Sequence, residues 1–258
     1  MKMHWLNYAR WCAAQSKRGS RRVGEGIEAA WAGSLLAFTN LTCPSRTVAD
    51  AGDLQRLGEA ATADAAPHGL PWMFGLAGPQ WPRALDEASA ALAGAGLHYA
   101  MSVTMMEAAM PLRPPERPLP EADVRRVDAA QARDAVHLNT LAYGLPPELT
   151  DNILEASAFV SSPEREFNYV VYVDGKPVST ATAMNSDDGW GYVALVATDA
   201  EHRGKGYAEL AMRRALEACG CTRTALDATD AGRPLYAQMG YESKYQWHFY
   251  MTAAPESH

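Results

Sequence analysis

The chain lacks long apolar runs: none of its 258 residues belongs to a stretch approaching the ~18 apolar residues that a membrane span requires. Between Met1 and Gln15 polar residues such as Asn7 and Arg10 interrupt the apolar ones, so no continuous signal-peptide block forms. Neither a membrane partner nor export is therefore expected. Cysteine is scarce, at four residues (Cys12, Cys43, Cys219, Cys221), too few to staple a chain of this size. A single glycine separates Cys219 from Cys221, which fits neither the zinc nor the redox CxxC spacing. The thiols are expected reduced and the protein cytoplasmic. The sequence also has no Gly-x-Ser-x-Gly elbow, no His-x-x-x-His pair and no carboxylate cluster at metal spacing, so no metal is expected.

Excess basic charge is missing too. The formal net charge is −7 and is unevenly placed. Nine Lys/Arg balance nine Asp/Glu up to Leu112, whereas 14 face 21 from Arg113 onward. Such an acidic half is a poor partner for nucleic acid, whose binding is led by attraction to phosphate. Its field favours cationic small molecules instead.

With 48% hydrophobic and 21% charged residues, the composition is that of a globular protein long enough for two domains. Five prolines between Pro111 and Pro120 remove backbone donors and bias their neighbours to extended conformations. This segment reads as a linker between a lobe at 1–110 and a domain at 121–252, followed by a tail at 253–258. In the second lobe the patterning predicts a strand near Asp123, helices over 130–142 and 147–159, strands over 167–173, 177–184 and 190–198, and a helix over 206–219. A strand over 223–228, a short helix ending at Met239-Gly240 and two closing strands near 241–245 and 247–252 complete it. The helix at 206–219 carries the strongest stripe, with Ala208, Ala211, Met212, Ala215, Leu216 and Cys219 on one face. In the first lobe the pattern predicts a helix over 5–15, a strand over 31–41, a helix over 49–64, a strand over 71–77, a helix over 81–95 and a strand over 97–105.

One segment carries chemistry. Val196 to Thr198 ends a strand, and Arg203-Gly204-Lys205-Gly206-Tyr207-Ala208 opens directly into the strongest helix. A helix N-terminus offers free N–H groups and partial positive charge, and glycines let the backbone approach an anion such as a pyrophosphate. Lys205 is followed by glycine rather than Ser or Thr, which excludes a P-loop. No βαβ repeat surrounds the loop, which argues against a dinucleotide fingerprint.

Arg203-x-x-Gly206-x-Ala208 resembles the acyl-CoA loop of the Gcn5-related N-acetyltransferase (GNAT) superfamily, and Leu235-Tyr236-Ala237-Gln238-Met239-Gly240-Tyr241 is similar to its second signature. The resemblance covers roughly residues 121–252. It implies an α/β (α+β) GNAT fold, with a mixed, mostly antiparallel central sheet flanked by helices. The front lobe resembles a degenerate copy, as in two-lobed bacterial GNAT proteins, and its turn at Gly78-Pro79-Gln80 lacks the signature.

The implied activity is transfer of an acyl group, acetyl by expectation, from acetyl-CoA to the primary amine of a small molecule within a ternary complex. Backbone N–H groups of Arg203, Gly204, Lys205, Gly206, Tyr207 and Ala208 are then expected on the CoA pyrophosphate. Leu195, Val196, Ala197 and Thr198 are expected beside pantetheine, Thr229 at a further cofactor contact, and Tyr236 as the acid that protonates the leaving thiolate. The strand near Leu226 to Thr229 is expected to splay away and open the acyl slot. Tyr192 stands where several family members carry a glutamate base, leaving Asp187, Asp188, His202 or a water chain as candidates. That gap keeps open a catalytically silent acyl-CoA-binding module, or an interaction protein that retains the fold without ligand. A monomer or homodimer is expected.

Overall fold

The computed structural model describes residues 4–128, 131–156, 164–186 and 189–252. They form two compact units, one of residues 1–104 with 245–258 and one of residues 105–244.

The chain begins with helix α1 (His4–Gln15), strands β1 (Ser20–Gly24), β2 (Ile27–Trp31) and β3 (Asn40–Pro44), and helix α2 (Ala51–Ala65). Strand β4 (Met73–Ala77), helix α3 (Leu85–Ala93) and strand β5 (Leu97–Ala109) follow. Next come β6 (Asp123–Arg126), α4 (Ala132–Ala142), α5 (Leu149–Ala156), β7 (Glu166–Val173), β8 (Lys176–Asn185) and β9 (Trp190–Thr198). Helix α6 (Tyr207–Cys219), β10 (Arg223–Ala228), α7 (Arg233–Gln238) and β11 (Glu242–Thr252) complete the described chain.

In the first unit β1, β2 and β3 form an antiparallel meander, β4 lies parallel to β3, and β11 pairs antiparallel with β4. Its core gathers Trp31, Leu54, Leu57, Phe74, Leu76, Leu92, Leu97 and Tyr250. The strand expected over 31–41 is interrupted after Trp31. Asn40 accounts for this: its Oδ1 accepts the N–H groups of Ala32 and Gly33, while its Nδ2 donates to the carbonyls of Ser34 and Pro71. The side chain thus replaces ladder bonds with a loop. The two closing strands expected at 241–245 and 247–252 are one strand, Glu242–Thr252, on which the polar Gln246 lies exposed.

In the second unit β10 runs parallel to β9, while β9, β8, β7 and β6 are successively antiparallel. Helix α6 covers one face through Ala211, Met212, Ala215 and Leu216, packed with Val171, Ala183, Val193 and Leu226. Helix α4 covers the other through Ala132, Ala135 and Leu138, packed with Val170, Tyr172 and Ala197. The proline segment at 111–120 lies within this unit, and the last strand of the expected 121–252 domain is bonded to β4. Long-range pairing of that kind leaves no trace in local composition. The helix expected over 147–159 is seen as α5; residues 157–159 lie outside the described ones.

Candidate active site

Strand β9 delivers the chain to the glycine loop through Asp199, whose Oδ1 accepts the Glu201 N–H at 3.1 Å and contacts His202 Nδ1 at 2.7 Å. His202 holds the carboxyl of Asp199 below its ordinary range, and the pair fixes the turn. The Arg203 guanidinium donates from Nε to the Thr198 carbonyl, and Arg117 Nη2 donates to the Gly204 carbonyl at 2.8 Å. Gly206 sits at φ +89, a left-handed conformation that side chains resist, with Pro120 only 3.1 Å from where its Cβ would stand. No side chain caps α6, whose backbone bonding begins with Leu210 N–H to the Gly206 carbonyl. The N–H groups of Tyr207, Ala208 and Glu209 therefore face out of the helix end, where anions are stabilised.

Upstream of the loop, β9 carries a bulge. Thr180 faces Ala197 but Thr182 faces Ala194, so β9 has one residue more than β8 across this interval. Leu195 takes φ +54 there, the conformation that absorbs the extra residue and re-aims the backbone of Leu195 and Val196. On its other edge β9 pairs with β10 only from Trp190↔Arg223 to Val193↔Leu226. Beyond that point β9 runs on to Thr198 and β10 to Ala228 without ladder partners between them, leaving a cleft that begins beside the bulge.

Tyr236 lies in α7, just beyond β10, and is buried. The missing Cβ of Gly232 makes room for it, since one there would lie 2.9 Å from the Tyr236 ring. Burial pushes the Tyr236 phenol above its ordinary pKa, and Tyr143, at the end of α4, is near enough to raise it further. Thr229 is exposed at the end of β10, where its carbonyl and Oγ1 accept the Gly232 N–H and help start α7.

Among the candidate bases, Asp187 and Asp188 lie outside the described residues. His202 is engaged with Asp199 at the loop. Tyr192 instead donates its hydroxyl hydrogen bond to Asp227 Oδ2 at 2.8 Å, across from β9 to β10. Burial pushes the Asp227 carboxyl up to about 7 despite that bond, and Oδ1 is enclosed with no hydrogen-bond partner among the described residues. Sequence reasoning missed Asp227, and only the Tyr192 position hinted that something had to replace a carboxylate.

In the first unit the turn after β4 is filled by its own side chain: Gln80 Oε1 accepts the Ala77 N–H, and Gln80 Nε2 donates to the Pro44 carbonyl. Among the described residues no group of three or more His, Cys, Asp or Glu is arranged to hold a metal. No described helix is long and apolar enough to cross a membrane.

A bulged strand feeding an uncapped glycine loop, next to a parallel strand that parts from it, makes up the candidate site. Residues 134–241 match the family model described as the acetyltransferase (GNAT) family. Among solved structures, a GCN5-related N-acetyltransferase from Kribbella flavida is similar over 99% of this chain and 97% of its own, at 19% identity and TM-score 0.71. One from Sphaerobacter thermophilus matches over 88% and 76%, at 16% identity and TM-score 0.61. A tandem GNAT protein from the clavulanic acid biosynthesis pathway matches over 90% and 79%, at 14% identity and TM-score 0.56. These likenesses extend over the first unit, whose fold is GNAT-like as well. No curated protein matches the chain.

Proposed function

We propose that the protein is an acyl-CoA-dependent N-acyltransferase that moves acetyl from acetyl-CoA to the primary amine of a small molecule by direct transfer. The observation that carries this reading is the uncapped loop at Arg203–Ala208, set beside the bulge at Leu195 and the cleft between β9 and β10. Its parts fit the cosubstrate: Gly204 and Gly206 take positive φ in the turn, and the loop N–H groups meet the charge of a pyrophosphate. The edge of β9 over Leu195, Val196, Ala197 and Thr198 holds the pantetheine arm, and Thr229 borders the cofactor at the end of β10. When bound, acetyl-CoA supplies the activated thioester.

The backbone re-aimed at the bulge presents an N–H toward the carbonyl oxygen, where a fixed donor stabilises developing negative charge. Tyr236, kept protonated by burial, gives its hydroxyl proton to the leaving sulfur. Holding both reactants in one cleft removes much of the entropic part of the barrier. The acidic charge of 113–258 supports a cationic acceptor, and the Gln80-filled turn supports a cofactor site confined to the second unit. Calorimetric titration with acetyl-CoA, free CoA as comparison, tests the reading. Saturable one-site binding followed by amine-dependent thiol release is expected, whereas no binding at millimolar ligand would remove it.

A further inference from the structure

The geometry points to Asp227 as the group that accepts the proton of the acceptor ammonium, with Tyr192 as its positioning residue; this rests on the acyltransfer reading above. A primary amine is protonated at neutral pH, and an ammonium has no lone pair with which to attack. Its proton must pass to a nearby base, directly or through one water. β9 offers no carboxylate at the expected position, and Tyr192 there spends its hydroxyl as a donor to Asp227 Oδ2.

The two strands resolve this together. Val193, Leu226 and Ala228 point into the core beneath α6. Side chains alternate along a strand, so Tyr192 and Asp227 share the opposite face. They straddle the last paired rung, Val193↔Leu226, with Tyr192 one residue before it and Asp227 one residue beyond, where β9 and β10 begin to separate. A carboxylate placed there lies at the head of the cleft in which the thioester would sit. Oδ2 is occupied by the Tyr192 hydroxyl, which fixes the rotamer, while Oδ1 has no hydrogen-bond partner among the described residues and retains its lone pairs for a proton once the cleft opens to ligand. The proton moves from the ammonium nitrogen to Oδ1 and then to solvent, leaving the nitrogen lone pair free.

Charge around Asp227 is arranged to leave it alone. Arg223, four residues earlier on the same strand, lies over the Trp190 ring at 4.6 Å and pairs with Glu107 of β5. Arg233 and Asp230 beyond the strand end face each other at 3.7 Å. From β9 the titratable neighbour is Tyr192. Burial and the Tyr192 bond are thus what set the Asp227 carboxyl near neutrality, the range in which a base both accepts and releases protons. Glu166, a buried carboxylate on β7 three strands from β10, accepts instead from Asn168 Nδ2 at 2.6 Å.

Two measurements test the assignment. In protein labelled with carbon-13 at the aspartate carboxyl, the signal lost in Asp227→Asn should titrate near pH 7 and move to higher pH in Tyr192→Phe, which removes the bond that favours the charged form. A signal titrating near 4 would overturn the proposal. The second compares two small nucleophiles at pH 7: ethylamine, which is protonated, and hydroxylamine, which is neutral. Asp227→Asn should slow enzymatic acetylation of ethylamine by about 100-fold and leave hydroxylamine within about threefold. Equal rates in variant and wild type with ethylamine, or equal losses with both nucleophiles, would refute the role of Asp227. If the wild type acetylated neither above the uncatalysed rate, the acyltransfer reading would fall and the proposal with it. Asp227→Asn removes an enclosed charge at constant shape, so the variant should fold.

Discussion

Tyr236 and Asp227 are both moved off their ordinary pKa by burial, with opposite usefulness. Burial holds the phenol in the protonated form from which a donor starts, while lowering its acid strength; burial of the carboxyl brings it to where protons are exchanged. Tyr236→Phe should therefore lower kcat by about 10- to 100-fold with the KM for acetyl-CoA nearly unchanged, as read by steady-state thiol release. Unchanged kcat would remove the acid role. Asp227 also leaves a signature in stability. Its folded pKa lies above its unfolded one, so the protonated group is no burden at pH 4, and stability is lost as pH rises through about 7. Asp227→Asn should match the wild type at pH 3, below the unfolded pKa, and exceed it above neutrality, by about 2–4 kcal/mol at most, as read by denaturant titration at pH 3 and pH 8.5.

Among the elements, the loop and α6 stood out in the sequence because their signals are local: glycines at fixed spacing, then an apolar stripe with the helical period. The Tyr192–Asp227 pair did not, because it joins residues 35 apart through a parallel register that the chain does not spell out. The bulge at Leu195 was equally silent, since nothing in Ala194-Leu195-Val196 announces an extra residue. Asn40 hid the break in the strand expected over 31–41 because its effect comes from four bonds to a loop rather than from low strand propensity. Two substitutions separate shape from charge at the helix entry. Gly206→Ala should cost about 1–2 kcal/mol of stability, since φ is +89 there, while retaining measurable acetyl-CoA binding. Gly206→Asp should carry the same strain and abolish binding, because it sets a negative charge among the N–H groups. Equal affinities by calorimetry would mean that the loop holds no phosphate.

For the whole molecule, the proline linker at 111–120 marks a place to divide the chain, for example before residue 113, and the pairing argues against it. A fragment of 113–258 would keep β11 without β4, its partner in the first unit, and would strip the 105–109 end of β5 from the second. Unpaired strand edges recruit other chains. The fragment should elute as aggregate on size exclusion while the full chain elutes as a defined species; a soluble, active fragment would show that these pairings are dispensable.

The bond ladder between β4 and β11 also sets an order in time. Residues 105–244 form an unbroken stretch and can complete their unit as they leave the ribosome, whereas the unit that starts first must wait for residues 245–252. Phe74 to Ala77, destined to pair with Trp247 to Tyr250, stay without those partners while some 170 further residues are made, at ~5–20 residues per second. The half synthesised first is the half finished last, and during that wait a buried, apolar strand is the stretch of nascent chain most in need of a chaperone.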